Sequence, residues 1–227
     1  MKLADILALV GVIIGLPAFL ALFLSGKWIE AVLVMVLLAF LLGMLWYFGL
    51  PEFTVIRLEK ILTIHDRSGR HATLVRRARM RPNQKGLGEW WCRNIGGDGE
   101  IRNVLIDSQR PSEQDNRGGL ISVCKRYQHP LPRWKVFETT VSCEMAHSYT
   151  QTQESLIHTV AYMTRELAVT VEFPAERPVR SAQGVITFSG EQRKRVGDVN
   201  ISEGGRRAEL RVQKPKIGAQ YHLEWEW

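Results

Sequence analysis

The alternation of polar and apolar positions changes character at residue 50. Ile6 to Leu24 runs without a charged residue and so does Ala31 to Leu50, with only Ser25-Gly26-Lys27-Trp28-Ile29-Glu30 between them. At about 1.5 Å per helical residue, each run would reach roughly 30 Å, the thickness of the hydrocarbon core of a bilayer. The pattern predicts two transmembrane helices joined as a hairpin over residues 1–50, with a turn too short to hold a domain. From Phe53 the period becomes two. Ile56, Leu58, Leu62 and Ile64 share a register that slips at Lys60, and Ala72, Leu74, Ala78 and Met80 share another beyond Asp66-Arg67-Ser68-Gly69, which predicts an antiparallel hairpin. Glu89 to Ile95 and Glu100 to Ile106 flank Gly96-Gly97-Asp98-Gly99 and predict a second hairpin. Residues 107–119 read as a polar loop. Further strands are expected over 120–127, 134–145, 167–173, 185–189, 196–201, 208–212 and 221–227. Thr150 and Gln153 stand in capping-box spacing ahead of Leu156, Ile157, Val160 and Met163, which recur at helical spacing and predict one helix. These short strands with one helix argue for an antiparallel barrel, alternatively a sandwich, over residues 51–227.

Charge sharpens this division. Lys2 and Lys27 are the only bases before residue 51 and Asp5 and Glu30 the only acids, so the whole formal charge of +7 belongs to the second part. A domain of that sign suits anionic company: phosphates, nucleic acid or an anionic membrane face. Arg57, Lys60, Arg67 and Arg70 follow the second apolar run. The positive-inside rule then places the domain and both termini in the cytoplasm, at a bacterial inner membrane. The first run exceeds the apolar length of a secretory signal, and Leu24-Ser25-Gly26 is a poor cleavage site. Cys92, Cys124 and Cys143 form no Cys-x-x-Cys pair and leave an odd thiol under any pairing, which favours a reducing compartment.

Candidate chemistry concentrates in arginine and tryptophan. On a strand, Arg77, Arg79 and Arg81 point away from Ala78 and Met80 and form a ladder of guanidiniums at about 6.6 Å steps. Each could grip a phosphate with two hydrogen bonds; a solvated face, or a basic collar beside anionic headgroups, would give the same spacing. Trp90 and Trp91 point to opposite faces, so one of them, Trp91, is left for base stacking or a partner surface. Tyr221, Leu223, Trp225 and Trp227 share one face of the last strand, as core or as pocket wall. Gly11 and Gly15 put two glycines on one helix face, where another protomer or the hairpin's own second helix can approach closely. No phosphate-loop, nucleophile-elbow or zinc-peptidase motif is present, and the histidines lack metal-ligand spacing. The chain therefore reads as a non-enzyme with neither metal nor cofactor.

Two apolar runs, a minimal turn and a basic strand-rich domain, in that order, resemble the two-transmembrane β-domain effectors of bacterial cyclic-oligonucleotide (CBASS-like) antiphage systems. The resemblance lies in the order of elements and carries no residue across. It implies a small β domain that binds a cyclic oligonucleotide, and helices that assemble into a homo-oligomer and disrupt the inner membrane. Lipid bilayer, a cyclic oligonucleotide and further protomers are then the expected partners, and double-stranded nucleic acid is not. A membrane-anchored module that recruits a cytoplasmic protein without permeabilising anything is the alternative of a different class.

Overall fold

A computed structural model describes residues 17, 19–21, 23–48, 51–97, 99–117, 119–188 and 193–227. The chain divides into two compact units, Met1–Leu50 and Pro51–Trp227. In the first, a turn with Gly26 at φ +76° leads into helix α1 (Trp28–Phe48). Gly11 and Gly15, the glycines expected to pack helices together, lie outside the described residues.

The expected transmembrane hairpin, and with it a multi-pass protein of the inner membrane, is overturned. Among the described residues no helix is long and apolar enough to cross a membrane. An apolar run selects a dry environment without naming it, and hydropathy read as letters alone assigned this one to lipid.

The second unit is almost entirely strand. β1 (Phe53–Ile64) and β2 (His71–Pro82) form the expected hairpin at the middle of a seven-stranded sheet of order β12-β13-β9-β1-β2-β7-β4. Its other members are β4 (Glu100–Ile106), β7 (Phe137–Ala146), β9 (Met163–Glu172), β12 (Val199–Ser202) and β13 (Arg207–Gln213). A register shift between Val55 and Arg57 explains the core phase of β1: Phe53 and Val55 are buried before it, Leu58, Leu62 and Ile64 after it. β9 runs parallel to β1, and Leu167 to Val171 are buried on both faces, as a parallel strand requires.

Two smaller sheets share the core with the large one. One is β11-β10-β14-β8, made of β8 (Gln153–Thr159), β10 (Ser181–Thr187), β11 (Lys194–Arg195) and β14 (Gln220–Glu226). The other is β3-β6-β5, made of β3 (Leu87–Ile95), β5 (Glu113–Arg117) and β6 (Leu120–Leu131). Trp90, Val123, Leu223 and Trp225 from these sheets join Leu62, Leu74 and Leu167 in one hydrophobic cluster. Tyr221, Leu223, Trp225 and Trp227 are all buried, so the last strand closes the core.

The domain is therefore built of three open sheets around one core, with one parallel pair, and the antiparallel barrel is corrected, because no sheet closes on itself among the described residues. Two local expectations change with it. The helix anticipated after Thr150 is strand β8, paired along its length with β14. Leu156, His158 and Val160 alternate into the core, and reading His158 as polar hid that period of two. The second hairpin does not form either: β3 pairs with β6, whereas β4 pairs with β7 in the large sheet. The glycines between them serve close approach. A Cβ on Gly99 would meet Ala146 O at 2.0 Å, and one on Gly97 would meet Met145 Cε at 2.1 Å.

Candidate anion-binding surface

The arginine ladder takes the predicted orientation, with Arg77 and Arg79 exposed, Arg81 half-buried, and Ala78 and Met80 buried. Register decides what it can do. Glu59 of β1 lies directly opposite Arg77, and Glu138 of β7 directly opposite Arg79. Arg77 Nη1 stands 4.0 Å from Glu59 Oε2, and Arg79 Nε 3.7 Å from Glu138 Oε1. Arg57 Nη2 adds a 2.6 Å contact to Glu59. Two rungs of the ladder are thus matched by carboxylates on neighbouring strands.

Arg81 differs, because its neighbour across β1 is Thr54 and the pairing of β2 with β7 ends at Met80. Its guanidinium lies 5.2 Å from the centre of the Trp134 ring, and that of Arg133 lies 4.6 Å from it. Trp134 sits in the turn that follows β6, closed by Lys135 N donating to Pro132 O at 3.3 Å. Its φ is +68°, the left-handed region at the turn position that ordinarily takes glycine. A bulky residue there costs roughly 1–2 kcal/mol, and Trp134 is 45% exposed.

The base beneath the turn is rigid. Trp134 N donates to Pro82 O at 2.9 Å, and Arg133 Nε to Asn83 O at 2.8 Å. Asn83 is buried, and its Nδ2 donates to Pro51 O at 2.8 Å and to Thr54 Oγ1 at 2.9 Å. A hollow of about 590 Å³ opens beside the ring, with Lys85 and Arg133 among its lining residues and no carboxylate. Two other hollows are balanced by acids. The hollow over the ladder, about 210 Å³, includes Glu59 and Glu138; another, about 680 Å³, sets Glu154, Glu224 and Glu226 against Arg193 and Arg195.

Of the residues anticipated from sequence, only Arg81 belongs to this surface. Trp91 is half-buried on β3, its Nε1 donating to Glu89 Oε1 at 3.1 Å, and is not brought to the ladder. Trp90 is 2% exposed and belongs to the core. Trp134 and Arg133 were missed because Trp134 reads as the first residue of the strand expected over 134–145 and Arg133 falls just before it. The local signal was an aromatic between two bases, Arg133-Trp134-Lys135, in a proline-bounded turn. Cys92, Cys124 and Cys143 are free and buried, and burial pushes the Cys143 thiol up to about 11. Among the described residues no group of His, Cys, Asp or Glu is placed to hold a metal ion.

No family model matches the chain, and no curated protein is similar to it in sequence. Among solved structures it is similar to an M1 zinc metallopeptidase from Deinococcus radiodurans, at 9% identity and TM-score 0.42, over 76% of this chain and 42% of that one. It is similar to yeast LTA4 hydrolase in complex with bestatin, at 9% identity and TM-score 0.43, over 76% of this chain and 28% of that one. A putative protease from Parabacteroides distasonis gives 9% identity and TM-score 0.46, over 78% of this chain and 40% of that one. The chain spans less than half the length of each, and likenesses this distant carry no argument about chemistry.

Proposed function

We propose that residues 51–227 form a non-catalytic binding domain for an anionic ligand that carries a flat ring, a nucleotide or cyclic oligonucleotide. The observation that supports this is Trp134. It is an exposed indole held at left-handed φ on a buried hydrogen-bonded base, with Arg81 and Arg133 against its ring and Lys85 lining the hollow beside it. A base can stack on the indole, which is sequence-tolerant and worth about 1–3 kcal/mol. The guanidiniums supply paired donors to phosphate oxygens. With the membrane hairpin withdrawn, the ligand class rests on this surface and no longer on the order of elements.

The test is a calorimetric titration of the full chain with mononucleotides and with cyclic di- and trinucleotides, at two salt concentrations. Binding that weakens with salt and falls by about five- to a hundredfold in Trp134→Ala supports the reading. Absence of binding across the panel, or binding indifferent to Trp134, Arg81 and Arg133, rejects it.

A further inference from the structure

Lys60 and Arg76 face each other across β1 and β2, and among the described residues neither is paired with a carboxylate. Lys60 stands on the core side of β1 between Leu58 and Leu62, 5% exposed, and its Nζ donates to Ile157 O of β8 at 2.6 Å. Arg76 of β2 is its direct cross-strand partner. Arg76 Nη1 reaches Cys92 Sγ at 3.3 Å and Arg93 O at 3.2 Å on β3, while its Nε is buried without an acceptor. Like charges directly opposite each other on a ladder repel. Arginine cannot relieve that repulsion by losing a proton, and Lys60 has two ammonium donors beyond the one given to Ile157.

Beside the pair lies a crevice lined by Lys60, Leu74, Arg76, Asn94, Ile95, Val141 and Cys143. Its volume is about 10 Å³, room for the centre of one water-sized species. A monatomic anion is of that size. The other titratable groups around the lysine are Cys92, Cys143 and His158, and no carboxylate is among them. Burial, then Arg76 and Lys60, holds His158 well below the usual histidine range and so neutral.

We propose that this crevice is a halide site, taking chloride between the Lys60 ammonium and the Arg76 guanidinium. The ion compensates both charges where no carboxylate does. It also joins the three sheets, because Lys60 reaches β8, Arg76 reaches β3, and both stand on the central hairpin of the large sheet. The site is separate from the Trp134 surface, and neither reading depends on the other.

The full chain is to be melted in sodium chloride, bromide and gluconate at one ionic strength, with the halide fraction varied. The expected result is a saturable rise of the midpoint by a few degrees with chloride and bromide and none with gluconate. Lys60→Met and Arg76→Met should each remove the halide-dependent increment, whatever they do to the midpoint itself. A second measurement does not need the variants to fold: crystals of the unaltered chain grown in bromide should show an anomalous peak between Lys60 Nζ and Arg76 Nε. Midpoints that follow ionic strength alone, together with a crevice holding only water in the bromide crystals, would overturn the proposal.

Discussion

Replacing Trp134 by glycine and by alanine separates what this residue costs the fold from what it gives to binding. Both changes remove the ring and with it two cation–π contacts, from Arg81 and Arg133. At an exposed site these contribute about 0.5–1 kcal/mol each. Alanine keeps the strain of an L-residue at φ +68°, so Trp134→Ala should destabilise by about 1–2 kcal/mol. Glycine relieves roughly 1–2 kcal/mol of that strain and gives back about 0.5–1 kcal/mol through the greater freedom of the unfolded chain. Trp134→Gly should therefore be the more stable variant by about 0.5–1 kcal/mol, close to the unaltered protein. Both should lose ligand equally. Urea unfolding of the three proteins reads the first effect and calorimetry with the best nucleotide of the panel reads the second. An alanine variant as stable as the glycine variant would refute the strain, and a glycine variant that binds normally would refute the site.

Three further outcomes follow from the same geometry. Arg77→Ala and Arg79→Ala, which break only exposed or half-exposed ion pairs, should change stability by less than about 1 kcal/mol in urea unfolding and leave nucleotide affinity unmoved. A loss of affinity there as large as in Trp134→Ala would return the ladder to the binding site. Gly99→Ala should destabilise by more than 2 kcal/mol, roughly the range of an overpacked core site, because its Cβ would fall 2.0 Å from the backbone oxygen of Ala146; a small change in urea midpoint would disprove the close crossing. Burial, then Arg76, lowers Lys60 from 10.5 to about 8, so between these values the unfolded chain binds the extra proton and stability rises with pH. The rise should be read from pH 8 to 9 in halide-free buffer, since Cys143, raised to about 11, opposes it above the ordinary thiol range. Lys60→Met should flatten that segment, and an unchanged slope in the variant would show that another group carries it.

The first hairpin was legible because its two strands are adjacent in sequence and alternate cleanly, so pattern and pairing coincide. The last strand was legible for the same local reason, its four large apolar residues all taking one face. Where partners are distant, local signals misled. β8 borrows its conformation from β14, more than 50 residues on, and a run of Leu156, Ile157, Val160 and Met163 that suits a helix yields to the backbone bonds that strand offers. Gly96 to Gly99 carries turn chemistry, yet the sheets on either side are different, a fact contained only in the partners of β3 and β4. The apolar runs before residue 51 show the converse error, a strong composition signal to which a specific environment was attached without any observation of that environment.

The candidate anion-binding surface was half legible, and the missing half is a matter of register. Arg77, Arg79 and Arg81 are equivalent as letters, since strand alternation gives all three the same face. They become different only when β1 and β7 are laid beside them, because Glu59 and Glu138 arrive opposite the first two and Thr54 opposite the third. A cation with an acid across the ladder loses most of its pull on an incoming phosphate, whereas one left beyond the paired region keeps it. The strand end that frees Arg81 is also where Pro82 accepts the backbone N–H of Trp134, so one structural event, the termination of β2, both leaves a charge uncompensated and seats the aromatic beside it. The strain at Trp134 persists because Pro82 and Asn83 fix the turn from below. A residue kept in a costly conformation and facing solvent is better explained by what it binds than by what it packs against.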